Sequence, residues 1–161
     1  MTQEQENTMK ALQTAIQMEV DGKEFYLKAA AASQNPLGKK LLKQLAAEED
    51  IHRSVFENIY NTLGKKQGWP EVHIEPDNKL KTILSDAKNE VSRDNKALKE
   101  EIDAVQTAME LENKTYDFYR SHAASASFAQ EKDFFLSLAA QEEGHHQVLL
   151  DYFEFLKDPE A

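Results

Sequence analysis

Apolar residues recur along this chain at alternating steps of three and four, the period of a helix that buries one stripe. One stripe reads Leu42, Leu45, Glu49, His52, Phe56, Ile59 and Leu63. A later one reads Phe135, Leu138, Glu142, His145, Leu149, Tyr152 and Leu156. Two further segments place Leu12, Ala15, Glu19, Gly22, Tyr26 and Ala29 on one face, and Val105, Ala108, Glu112, Thr115, Tyr119 and His122 on another. The pattern predicts four long helices over residues 3–33, 36–63, 97–124 and from about 127 to 156. Asn35 and Pro36 mark a helix start, because Asn can cap and Pro can open a helix. Gly64 marks a stop. Ser127 with Gln130 reads as a capping box for the last helix.

Residues 64–96 form the linker, which holds Trp69-Pro70 and Pro76 and a short helix expected near 80–88. Short loops therefore join helices one to two and three to four, and a long crossover joins two to three. Helical hairpin 3–63, crossover, helical hairpin 97–157 is the connectivity of an all-α, ferritin-like four-helix bundle. The chain of 161 residues is read as one domain, 1–161. A homodimer that swaps hairpins across the linker would have the same local structure.

The two halves align without a gap at an offset of 93 residues, which pairs Glu19 with Glu112, Phe25-Tyr26 with Phe118-Tyr119 and Leu45-Ala46-Ala47 with Leu138-Ala139-Ala140. The same offset pairs Glu49 with Glu142, His52 with His145 and Val55 with Val148. Helical composition alone does not put Glu and His at matching interior positions. The sequence reads as a duplicated hairpin, so the bundle should carry an internal two-fold pseudo-symmetry.

Each helix thus brings a Glu to its apolar seam, and two add a His one turn later. Burying a carboxylate without a partner costs several kcal/mol. Four together would exceed the roughly 5–15 kcal/mol by which a domain is stable. No matching set of seam Lys or Arg exists to neutralise them. Two dications would balance the charge, and neutral imidazoles would complete the coordination. Glu from two helices, with Glu-x-x-His from the other two, is the ligand set of di-iron and di-manganese carboxylate bundles. The predicted metal ligands are Glu19, Glu49, His52, Glu112, Glu142 and His145. A lone Glu-x-x-His is usually surface chemistry; the specificity lies in its repetition. Tyr26 and Tyr119, seven residues after a ligand Glu, are candidates to hydrogen-bond ligand carboxylates or to act as plain core aromatics.

Neighbouring residues act as controls. Glu48, Asp50 and Glu143 lie off the seam and are expected in solvent. His146 follows His145 by about 100° of helix, and an alternative frame pairing it with Glu143 breaks both stripe and repeat. His73 and His122 are read as surface residues. Gly22, one turn from Glu19, is read as a place for close approach of backbone, solvent or substrate, or as helix packing. Gly144 is a helix-interior glycine with no assigned role.

Composition narrows the function. The chain has no Cys, which excludes disulfides, thiolate metal sites and cysteine nucleophiles. Its 29 acidic and 19 basic residues give a net charge of −10. That balance disfavours nucleic acid and anionic membranes as partners. The polar start, with no apolar leader, and the lack of a long apolar run predict a cytoplasmic protein.

The segments Ala15 to Glu19 through Phe25-Tyr26, Leu45 to His52, Glu112 through Phe118-Tyr119, and Leu138 to His145 resemble the rubrerythrin branch of the ferritin-like superfamily. The likeness covers about residues 5–156. It implies a di-iron site and redox chemistry with peroxide or dioxygen. It also implies that Glu19 and Glu112 are ligands, that Glu49 and Glu142 are bridging or terminal ligands, and that His52 and His145 give one imidazole per metal. Rubrerythrins proper carry a rubredoxin-type site on four cysteines, which this chain lacks, so electrons would come from an external donor. They also carry an extra Glu where this chain has Thr115, which argues against their efficient peroxidase chemistry.

The leading expectation is a non-haem di-iron oxidoreductase acting on peroxide or dioxygen. The alternatives are a ferroxidase or iron-storage or iron-carrying protein, and a metal-free helical interaction module. Manganese or zinc could take the same ligands, since affinity alone does not select iron.

Overall fold

The computed structural model describes residues 2–74, 79–87 and 95–158. Among them are five helices: α1 (Gln3–Ala32), α2 (Pro36–Gly64), α3 (Lys79–Ala87), α4 (Asn95–Ser125) and α5 (Ala129–Lys157). The four long helices form an all-α bundle of two hairpins, α1 with α2 and α4 with α5, and α1 also packs on α4. The short α3 lies against α2 and α5 and buries Leu80 and Leu84 at one end of the bundle. This is the ferritin-like arrangement that the loop lengths imply. No described helix is long and apolar enough to cross a membrane.

Helix ends follow local chemistry, with two departures from expectation. Thr2 and Gln5 form a reciprocal capping box that starts α1. Asn35 and Pro36 start α2, but the Asn35 side chain does not cap it. That amide donates instead to Glu101 Oε2 at 3.2 Å. The Ser127 capping box is not formed: Phe128 is the residue before α5, with no side-chain cap. Gly64 stays helical, and the left-handed residue beyond α2 is Lys66, with φ 62°. Its amide donates to the Leu63 carbonyl, which closes the last turn.

Two hydrophobic clusters fill the bundle. One holds Tyr26, Leu41, Leu42, Leu45, Leu149 and Tyr152; the other holds Leu12, Phe56, Ile59, Tyr119, Phe134 and Phe135. Each fully buried large side chain contributes about 1.5–3 kcal/mol relative to exposure. The 93-residue offset maps one cluster on the other, taking Leu41, Leu42 and Tyr26 to Phe134, Phe135 and Tyr119, and Phe56 to Leu149.

The second hairpin also delivers a buried carboxylate to each of two repeat-related junctions with the first. Thr8 Oγ1 on α1 lies 2.9 and 3.0 Å from the carboxylate oxygens of Glu131 on α5. The offset sends Thr8 to Glu101 and Gly38 to Glu131. In the second pair the acid is on α4. Glu101 Oε2 accepts from Ser33 Oγ at 2.5 Å, and its Oε1 would lie 2.4 Å from a Cβ at Gly38. Gly38 is therefore the space that Glu101 occupies. His122, expected at the surface, is largely buried instead, with its Nε2 2.6 Å from Glu131 Oε2. The reason is that His122 continues the α4 stripe and reaches the acid across the hairpin.

Candidate metal centre

The α-helical period carries Glu19, Glu49, His52, Glu112, Glu142 and His145 inward, and none is more than 4 % exposed. They form two overlapping groups. Glu19, Glu49, His52 and Glu142 offer ligand atoms all within 4.8 Å of one another, and so do Glu49, Glu112, Glu142 and His145. Glu49 and Glu142 belong to both groups, and each group adds one Glu and one His of its own. The imidazoles are parallel, 7° between planes, with centroids 6.1 Å apart. His52 Nδ1 lies 3.3 Å from Glu19 Oε1 and 3.4 Å from Glu142 Oε1. His145 Nδ1 lies 3.7 Å from Glu112 Oε1 and 3.8 Å from Glu142 Oε2. The duplicated hairpin thus builds two similar half-sites that share two carboxylates.

Tyr26 and Tyr119 work across the hairpins. The Tyr26 hydroxyl of α1 donates to Glu112 Oε1 of α4, and the Tyr119 hydroxyl of α4 donates to Glu19 Oε1 of α1. Each tyrosine orients the carboxylate of the opposite half. Burial, then the charge of Glu112 for Tyr26 and of Glu19 for Tyr119, holds both phenols well above their usual range, so they remain donors.

Four acids cannot all stay charged here unaided. Burial, and then the charge of Glu19, pushes Glu49 well above the ordinary carboxylate value. Burial also opposes the charge on Glu19, but bonding from Glu49 and the His52 charge outweigh it and lower Glu19. His52 is raised: burial resists the imidazolium, and Glu19 wins. Even so, the cluster is not satisfied. Glu19 Oε2, Glu112 Oε2, both Glu142 oxygens and both His145 nitrogens are buried and form no hydrogen bond among the described residues. No Lys or Arg is buried among the described residues either. Orphaned polar atoms of this kind cost about 1–3 kcal/mol each, more when charged. Carboxylate oxygens and imidazole nitrogens converging on two points form a donor set suited to a pair of divalent metals.

The surroundings contain groups that the stripe did not disclose. His52 Nε2 lies 2.6 Å from Gln141 Oε1 of α5, which leaves Nδ1 facing the carboxylates. The repeat pairs Gln141 with Glu48, each directly before a seam Glu, and that was the available signal. Glu48, expected in solvent, is buried at 6 % exposure and accepts from Gln44 Nε2 at 2.9 Å. Its helix face is covered although it lies off the seam. Asp50 behaves as an outer residue, paired to Lys23 and Arg53. Glu143 and His73 are exposed and His146 is half-buried outside both groups.

Gly22 faces Glu49. A Cβ there would come 3.2 Å from Glu49 Oε2, so glycine gives this carboxylate its room. Beside it a cavity of about 170 Å³ between α1 and α4 is lined by Met18, Gly22, Glu49, Glu112 and Thr115, among others. Thr115 Oγ1 donates to its own helix at the Leu111 carbonyl, 3.0 Å away. Gly144 has open space around it.

The sequence model of the Rubrerythrin family matches residues 10–153. No curated protein and no solved structure matches the chain. The family match runs through all four long helices and every residue of the two carboxylate–imidazole groups. This protein belongs to the rubrerythrin family, in a form whose chain, having no cysteine, carries no rubredoxin-type iron site.

Proposed function

We propose that this protein is a non-haem di-iron oxidoreductase that reduces peroxide or dioxygen with electrons from an external donor. The observation that carries the reading is the pair of buried groups sharing Glu49 and Glu142, with orphaned oxygens and nitrogens turned toward one another. Glu19, Glu49, His52 and Glu142 would hold one ion, and Glu49, Glu112, Glu142 and His145 the other. A bound metal pair would supply the electrons that a small oxidant takes up.

The chain's own residues set the conditions. Tyr26 and Tyr119 fix the terminal carboxylates across the hairpins, so the two ends of the site keep their spacing. Gln141 fixes the His52 ring. The flanking hydrophobic clusters exclude bulk water. Glu49, whose carboxyl is held above its ordinary range and borders the Gly22 cavity, would need to be deprotonated to hold a cation. At about 170 Å³, that cavity falls below the roughly 300–1,000 Å³ of sites that take organic ligands. This size favours peroxide or dioxygen over an organic substrate. Thr115 is tied to its own backbone and adds no carboxylate, so the six residues are the working set.

Anaerobic stopped-flow mixing of the ferrous-loaded protein with hydrogen peroxide tests the reading. Oxidation should be faster than for free ferrous ion, with two irons consumed per chain. A rate equal to that of the free ion would rule the assignment out.

A further inference from the structure

The two hydrophobic clusters occupy equivalent places in the repeat, yet they use different side chains. Around Tyr26 the three related positions hold Leu41, Leu42 and Leu149; around Tyr119 they hold Phe134, Phe135 and Phe56. Leucine fills the space in one half, so packing alone does not call for three aromatic rings in the other. Those rings form an unbroken series. Trp69 and Phe134 have centroids 5.8 Å apart. Phe134 is 5.5 Å from Phe56 and 5.7 Å from Phe135. Phe56 and Phe135 are 5.7 and 5.8 Å from Tyr119. All are direct aromatic contacts. The Tyr119 hydroxyl then reaches Glu19. At the far end, Trp69 is half-buried and lines a cavity of about 520 Å³ with Met9, Leu63, Gln67 and Phe128.

We propose that Trp69, Phe134, the Phe56/Phe135 pair and Tyr119 form an electron route from this cavity to the Glu19 side of the carboxylate cluster. Trp69 and Tyr119 are the two oxidisable rings, and the phenylalanines are the contact medium between them. In the working direction Tyr119 would give one electron toward the oxidant at the cluster while its phenol proton moves along the existing bond to Glu19; two such electrons, with two protons from solvent, reduce one hydrogen peroxide to two waters. Trp69 then gives an electron to the Tyr119 radical, which takes its proton back; this transfer runs uphill and is drawn forward as the reductant removes the tryptophan radical. A small organic reductant of the reduced-flavin class in the cavity restores Trp69. No proton is consumed along the route, and each electron that leaves Tyr119 is replaced by one from the reductant. This use rests on the redox reading above, but the route itself does not depend on it.

Flash photolysis of the full metal-free chain tests the route, with photogenerated tris(bipyridine)ruthenium(III) as the one-electron oxidant. The chain has a single Trp, so the tryptophan-radical absorption reports Trp69 alone. In the wild type that band should decay as a tyrosyl band rises. Tyr119→Phe and Phe134→Leu should each lengthen its lifetime by about tenfold or more, and Tyr26→Phe should leave it unchanged. Equal lifetimes in wild type, Tyr119→Phe and Phe134→Leu would overturn the proposal. Phe134→Leu installs the residue that the matching position already uses, and far-ultraviolet circular dichroism confirms its fold. Should it not fold, Tyr119→Phe decides the matter alone. A protein inactive with peroxide could still pass this metal-free test, so failure of the route and failure of the enzyme reading are separable.

Discussion

Glu142 shares both groups with the other five residues of the cluster, and neither of its carboxylate oxygens forms a hydrogen bond among the described residues. It and Glu49 enter both groups, whereas Glu112 enters one. The two kinds of acid should therefore respond differently to neutralisation. We predict that Glu112→Gln keeps one tightly bound ion, on Glu19, Glu49, His52 and Glu142, and weakens the other by about 100-fold or more. Loss of an outer partner alone costs about 10–100-fold. Glu142→Gln should weaken both. Metal titration followed by elemental analysis distinguishes one ion per chain from none, and identical stoichiometry in the two variants would contradict the shared-ligand geometry. Much at this scale was legible beforehand, because an acid on an apolar stripe has no neutral explanation once it recurs four times. Glu48 and Gln141 were not legible. Their burial depends on which neighbouring helix covers the flank of α2 or α5, and no stripe on one helix encodes that.

At the scale of elements, the helices and their pairing follow from period and loop length, and the ends follow less well. The Ser127–Gln130 spacing satisfies the capping pattern, yet the helix begins after Phe128 without a side-chain cap. A capping motif offers a local bond, and tertiary packing of Phe134 and Phe135 sets where α5 sits. Asn35 likewise gives its amide to Glu101 on another helix rather than to its own. Gly38 makes this junction testable. An added methyl group would meet Glu101 Oε1 at 2.4 Å and Ser33 Oγ at 2.7 Å. Although alanine favours helix by about 1 kcal/mol over glycine, overpacking costs about 1–3 kcal/mol. We expect Gly38→Ala to lose stability, read as a lower urea midpoint. A gain would mean that Glu101 can turn away freely, contrary to its bonds with Ser33 and Asn35.

For the whole molecule, the bare cluster links folding to pH. Glu49 titrates above its ordinary 4.5 in the folded chain because of burial and then Glu19, and His52 titrates above its ordinary 6.5, where the Glu19 charge outweighs burial. Across the window that starts at 4.5 and continues past 6.5, the folded protein thus binds more protons than the unfolded one, and its stability falls as pH rises. Glu19 is shifted the other way, so its contribution is lost only as pH falls below 4.5. The melting temperature of metal-free protein should decline from about pH 5 to about pH 8, by about 2–4 °C per kcal/mol of lost stability. Bound divalent metal needs these groups deprotonated and should reverse the trend. Differential scanning calorimetry with and without metal measures both slopes, and a metal-free melting temperature that climbs over this range would contradict the upward shifts of Glu49 and His52.

The exchanged pairing of Thr8 with Glu131 and of Gly38 with Glu101 has a consequence for how halves recognise each other. Two copies of the first hairpin would set a hydroxyl against a missing side chain, leaving a hole. Two copies of the second would drive Glu101 against Glu131, anion against anion, away from water. Neither half is self-complementary, although both descend from one pattern. The mismatch works as an address: it directs each hairpin to its unlike sibling, and only that union assembles the unequal surroundings of Tyr26 and Tyr119 about one common centre.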